Sequence, residues 1–114
     1  MSEIESRALA EFAADVRKLY GARLKGLYLF GSRARGDAVP ESDADVLVVL
    51  VDDGWSFWAE KKKLISLAYD TVLNHDLYVQ AWPVTHSDWQ NASKGDRGFL
   101  PTAKHEAVPI REAA

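Results

Sequence analysis

Residues 27–50 read LYLFGSRARGDAVPESDADVLVVL, and this stretch decides the fold. Leu24 to Phe30 reads as a strand that ends abruptly at Gly31. Gly31 to Gly36 then supplies a turn and a short helix, and Pro40 breaks the chain before Asp43. Asp43 to Val51 is a second strand. Its run Val46-Leu47-Val48-Val49-Leu50-Val51 is apolar at every position, which marks a central strand covered on both faces. Asp52-Asp53-Gly54 ends it.

Upstream, Ser2 with Glu5 three residues later forms a capping box and opens a helix to about Tyr20. Its core-facing stripe is Ile4, Leu9, Phe12, Ala13, Val16, Leu19 and Tyr20, and Gly21 stops it. Downstream, a helix from about Trp55 to Leu73 buries Phe57, Leu64, Ala68 and Val72, with Lys61, Lys62 and Lys63 read as a solvated face and Asn74 as its end. Asp76 to Val84 is a third strand, and Pro83 points to an edge position or the strand's end. Thr85 with Asp88 caps a short helix containing Trp89. Asn91 to Gly98 is a polar loop, Pro101 to Ala107 a last short helix, and Pro109 with the Ala-rich end a tail. The expectation is one α/β (α+β) domain over residues 1–114, a small mixed sheet flanked by helices.

Composition narrows the function classes. Apolar residues make up 47% and charged residues 27% of 114, an ordinary globular mixture. The absence of cysteine excludes a disulfide framework and a thiolate zinc site, and fits a cytoplasmic protein. The acidic N-terminus lacks a signal-peptide pattern, and no apolar run is long enough to span a bilayer. A net charge of −3 makes a long nucleic acid an unsuitable main partner but leaves room for a small anion gripped locally. His75, His86 and His105 lack mutual metal-ligand spacing and read as surface residues; the four tryptophans read as core or interface anchors.

The chemistry concentrates in two short motifs. Asp43 and Asp45, two apart on a strand, point to the same face. Paired carboxylates repel unless a cation lies between them, and Mg²⁺ favours one or two carboxylates together with substrate phosphates. Read blandly, they are polar residues at a strand's entrance. Gly31-Ser32 ends the preceding strand and feeds a helix, so its backbone N–H groups and the Ser32 hydroxyl can meet an anion, with Arg33 and Arg35 adding charge. This is no Walker A loop, because no Gly-Lys-Ser/Thr follows. The combination is more specific than either part: the four fixed positions recur by chance in roughly one chain of this size in a thousand.

Gly31-Ser32, an interval, then Asp43-x-Asp45 resembles the signature of the minimal nucleotidyltransferase (MNT) family of the DNA polymerase β superfamily, and the order of helices and strands is similar. The resemblance implies the nucleotidyltransferase fold and metal-assisted transfer of an NMP, with two Mg²⁺ ions on Asp43 and Asp45 and ATP as substrate. Gly31 and Ser32 would bind the β- and γ-phosphates, assisted by Arg33 or Arg35. The family often carries a third carboxylate on the third strand. Asp76 is the acid available there, although alignment from Thr85–Trp89 places the position at Gln80 or Trp82.

The resemblance also implies a partner. Larger relatives have a helical domain that helps bind the acceptor, and 114 residues leave no room for one. Stand-alone MNT proteins resemble antitoxins paired with helical HEPN-type RNases, some of which receive AMP on a tyrosine. The expected function is therefore a protein adenylyltransferase antitoxin. Two alternatives stand beside it: a binding module with a vestigial nucleotide site, and a small-molecule nucleotidyltransferase whose acceptor pocket forms in an oligomer.

Overall fold

The computed structural model describes residues 2–38, 43–93 and 98–110. The break expected at Pro40, the middle of the Asn91–Gly98 loop and the Ala-rich end lie outside these residues. The first helix, α1 (Glu3–Tyr20), starts as its sequence dictates: Ser2 Oγ accepts a hydrogen bond from the Glu5 N–H at 3.1 Å. Ala8, Leu9, Phe12, Ala13, Val16 and Tyr20 are buried. Ile4 and Leu19, expected on the same stripe, are exposed. At 3.6 residues per turn Ile4 lies roughly a third of a turn from the stripe's centre and Leu19 at its margin.

A 3₁₀ turn (Gly21–Arg23) leads into β1 (Leu24–Phe30), followed by the single-turn helix α2 (Ser32–Arg35) and β2 (Ala44–Leu50). β1 and β2 pair antiparallel, with Phe30 opposite Asp45. The crossover helix α3 (Phe57–His75) then returns the chain so that β3 (Val79–Thr85) pairs with β2 in parallel, a connection that requires an intervening element of this length. β4 (Val108–Pro109) adds two residues to the other edge of β1, where a tail was expected. The order is β3-β2-β1-β4, a mixed sheet with β2 inside it, as the unbroken apolar run required.

The sheet separates two apolar clusters. On one face α1 and α3 pack on Leu27, Leu29, Val46, Val48, Leu50, Val79 and Ala81. On the other, Leu47, Val49 and Val84 meet Tyr28, Phe30, Trp82, Trp89 of α4 (His86–Asn91) and Ala103 of α5 (Phe99–Glu106). Thr85 caps α4 as expected, accepting from the Asp88 N–H at 3.1 Å.

Further expectations change. The third strand begins at Val79, because α3 runs on to His75 and Asp76 closes it in a left-handed conformation, φ 54°. Lys61 is not part of a solvated face. It stands three residues before the buried Leu64, on the same stripe, and its ammonium donates to the Ala81 carbonyl and lies 4.1 Å from the Trp82 ring centroid. Phe57, expected to be buried, is exposed in the first turn of α3 and packs edge-on against Trp58, which is itself 66% exposed.

Candidate functional site

The acidic pair lies where the inner strand begins. Asp43 precedes β2 and is exposed, while Asp45 is half-buried. Asp45, Leu47 and Val49 alternate onto the α4/α5 face of the sheet. Burial raises the Asp45 pKa above the ordinary carboxylate range, the negative charge of Asp43 adds to the effect, and that of Glu106 adds a little more; the Arg35 charge opposes it. Anionic Asp45 is thus held at a cost that a divalent cation between the two carboxylates would offset. The donor chemistry fits such a cation: Asp45, which lines the cleft, and the exposed Asp43 two residues before it offer hard carboxylate oxygens, although Asp43 itself is not part of the cleft lining. Among the described residues no group of three or more acidic or histidine side chains is arranged to hold a metal.

The glycine turn faces Asp45. Gly31 has φ 76° and ψ −156°, a region that only glycine enters readily. Its Cα is so close to Asp45 that an added β-carbon would lie 2.5 Å from Asp45 Oδ2. α2 is one turn long, so its dipole contributes little; the donors that the turn offers an anion are single N–H groups and side chains. Gly31, Ser32, Arg35, Asp45 and Glu106 wall a cleft of about 530 Å³, with Phe30 and Phe99 on its apolar side. Phe30, Trp82 and Phe99 line an adjoining cavity of about 390 Å³ that also reaches Asp45.

The two arginines part company. Arg35 lines the cleft; its Nε donates to Asp37 at 3.1 Å and its Nη1 to Glu106 Oε1 at 2.8 Å. Arg33, expected beside it, is buried and pairs with Glu5 of α1, outside the lining of the cleft.

Asp76 is likewise placed apart from the cleft. It caps α3 three residues before β3 begins and lines neither cavity. In the strand register the partner of Asp45 is Gln80, and that of Leu47 is Trp82. The position beside Asp45 on β3 therefore carries an amide.

Glu106 is the residue that the sequence left unmarked. Its Oε2 accepts from the Gly31 N–H at 3.1 Å while Oε1 accepts from Arg35. Nothing local distinguishes this glutamate; it reaches the site because α5 packs across the same face of the sheet, with Ala103 buried among Leu47, Val49 and Val84.

Comparison with known proteins identifies the family. Residues 9–94 match the family model described as nucleotidyltransferase domain. A protein of Methanocaldococcus jannaschii, provisionally named a protein adenylyltransferase, is 37% identical over 70 residues, spanning 61% of this chain and 69% of that protein. A provisionally named nucleotidyltransferase from Sulfolobus solfataricus superposes with a TM-score of 0.61 at 20% identity, covering 91% of this chain and 77% of the other. A chain from the complex of a tri-AMPylated Shewanella oneidensis HEPN toxin with an MNT antitoxin gives a TM-score of 0.53 at 16% identity, covering 95% of this chain and 73% of the other. At such identities the solved structures establish a shared fold. The family match spans both strands that carry the Gly31-Ser32 turn and the Asp43/Asp45 pair, and on these grounds the chain belongs to the nucleotidyltransferase-domain family and is a nucleotidyltransferase.

Proposed function

We propose that the protein transfers AMP from ATP to a hydroxyl of a protein partner, a tyrosine of a HEPN-type toxin, and so acts as its antitoxin. The observation that carries the reading is the cleft in which Gly31, Ser32 and Arg35 face Asp45. The naming of a relative as a protein adenylyltransferase and the fold shared with a chain from the MNT–HEPN complex support the acceptor class.

In this mechanism Asp43 and Asp45 would hold the divalent metal, Mg²⁺. The metal supplies charge neutralisation for the attacking and leaving oxygens when bound. Gly31 N–H, the Ser32 hydroxyl and the Arg35 guanidinium bind the β- and γ-phosphates and keep pyrophosphate in line as it leaves. The acceptor oxygen forms a bond to the α-phosphorus, the bond to the β-phosphate bridging oxygen breaks, and the acceptor proton leaves to solvent or to Asp45. The walls formed by Phe30, Trp82 and Phe99 suit a planar ring beside Asp45. Incubation with Mg²⁺, ATP and the partner gives an AMP adduct visible by intact mass; Asp43→Ala and Asp45→Ala abolish it. An adduct that forms equally well with either variant overturns the reading.

One observation favours a second reading, an antitoxin that acts by contact alone. Gln80 stands in register with Asp45 where a third carboxylate would act, and an amide cannot take a proton from the acceptor. If contact suffices, the Asp43→Ala/Asp45→Ala double variant still silences the partner in full.

A further inference from the structure

The groups assigned above to the triphosphate already hold an anion. Glu106 spans them, one oxygen on the Gly31 N–H and the other on Arg35 Nη1. A carboxylate and a phosphate present similar oxygen acceptors to N–H donors, and an arginine binds either. We propose that Glu106 is an internal competitor for the phosphate-binding donors: it occupies Gly31 N–H and Arg35 until a metal-bound triphosphate displaces it, and thereby sets the nucleotide affinity of the site. This rests on the nucleotidyl-transfer reading and adds to it a residue that tunes substrate binding.

Two features favour competition over a role as a third metal ligand. Both Glu106 oxygens are turned to nitrogen donors, whereas a ligand would offer them to a cation shared with Asp43 and Asp45. The described acidic side chains also form no three-member metal set. Displacement requires only the side chain to swing. The rest of α5 is anchored without it: Ala103 is buried, Lys104 Nζ donates to the Trp89 carbonyl at 2.6 Å, and the following residues are tied to β1 by the β4 pairing and by Ile110 N–H on the Leu27 carbonyl at 3.0 Å. Retraction of Glu106 also removes a negative charge from beside Asp45 at the moment a polyanion arrives.

The test is calorimetric titration of the wild-type chain, Glu106→Gln and Glu106→Ala with Mg-ATP and, separately, with magnesium tripolyphosphate, each variant being checked first by thermal melting. A site competent only when Glu106 is out loses affinity in proportion to that fraction, so Glu106→Ala binds both ligands roughly tenfold more tightly, and Glu106→Gln gains less. Unchanged affinity in both variants overturns the proposal, and weaker binding overturns it in favour of a metal-supporting role. The Gly31 amide gives an independent reading by ¹⁵N NMR. Its proton moves upfield in Glu106→Ala, and tripolyphosphate with Mg²⁺ returns it downfield. If wild type and both variants bind neither ligand and the amide stays still, the nucleotide reading itself fails; if wild type binds and only the gain is missing, Glu106 alone is misassigned.

Discussion

Gly31 and Asp45 stand so close that a β-carbon on the glycine would lie 2.5 Å from Asp45 Oδ2. The turn proposed to bind phosphate and the carboxylate proposed to hold metal are thus coupled sterically. Gly31→Ala tests that coupling. The backbone conformation costs a non-glycine residue about 1–3 kcal/mol of stability. Asp45 can rotate away from the methyl group, at the expense of its own aim. The variant should melt lower but fold, and AMP transfer should drop roughly 100-fold. Transfer within twofold of wild type would show that Asp45 has no need of its present orientation.

Asp45 itself should repress stability when no cation is present. Its ionised form is disfavoured by burial, by Asp43 and by Glu106, so the fold loses stability as the group ionises. Asp45→Asn should raise the metal-free melting temperature by about 2–5 °C at neutral pH, as replacement of a strained functional charge commonly does. The gain fades as the pH falls through the raised Asp45 pKa. Added Mg²⁺ should raise the melting temperature of wild type and leave that of Asp45→Asn unmoved. Scanning calorimetry with and without Mg²⁺ measures both.

Asp52 carries the opposite pH dependence. It accepts hydrogen bonds from the Ser87 hydroxyl and from the Ser87 N–H, the latter at 3.1 Å, and these hold its pKa below the ordinary carboxylate range, the hydroxyl contributing most. A carboxyl whose folded pKa is depressed stabilises the fold above its unfolded pKa and loses that contribution as the pH falls through the folded value. Asp52→Asn should therefore melt below wild type at neutral pH. The two curves should converge in acid, once Asp52 of the wild type is protonated. A gap that persists unchanged at low pH would rule out this linkage.

Within the Lys61–Lys63 run, substitutions should diverge sharply. Lys61 is buried, donates to the Ala81 carbonyl and covers Trp82, and burial pushes its pKa down. Lys61→Ala removes packing and leaves a strand carbonyl without that donor, at about 1–3 kcal/mol. Lys62→Ala, on an exposed position, should stay within about 0.5 kcal/mol of wild type. Urea unfolding of both variants is the measurement.

The local grammar of the chain predicts much of this structure. Ser2, Thr85 and Gly21 punctuate their helices where side-chain chemistry requires, and the apolar run at Val46–Leu50 identifies the inner strand without any tertiary information. What escapes depends on packing between distant segments. Periodicity alone would put Lys61 on the buried stripe, but the rule that charged runs face water outweighs it. Asp76 looks like the first residue of a strand because the left-handed turn that separates it from β3 leaves no mark in an Asp. Arg33 and Arg35 are indistinguishable in sequence, and the presence of Glu5 on a neighbouring helix decides which of them reaches the cleft. Glu106 comes to the site only through the docking of α5.

Both outer strands of the sheet contain a proline, Pro83 in β3 and Pro109 in β4. A residue without an N–H interrupts any ladder that a further strand might build, and prolines at sheet margins are a recognised guard against edge-to-edge aggregation. Among the described residues, Pro83 and Pro109 thus interrupt the outer ladders of β3 and β4. On α3, by contrast, Trp58, Ile65, Tyr69 and Leu73 stand open to solvent.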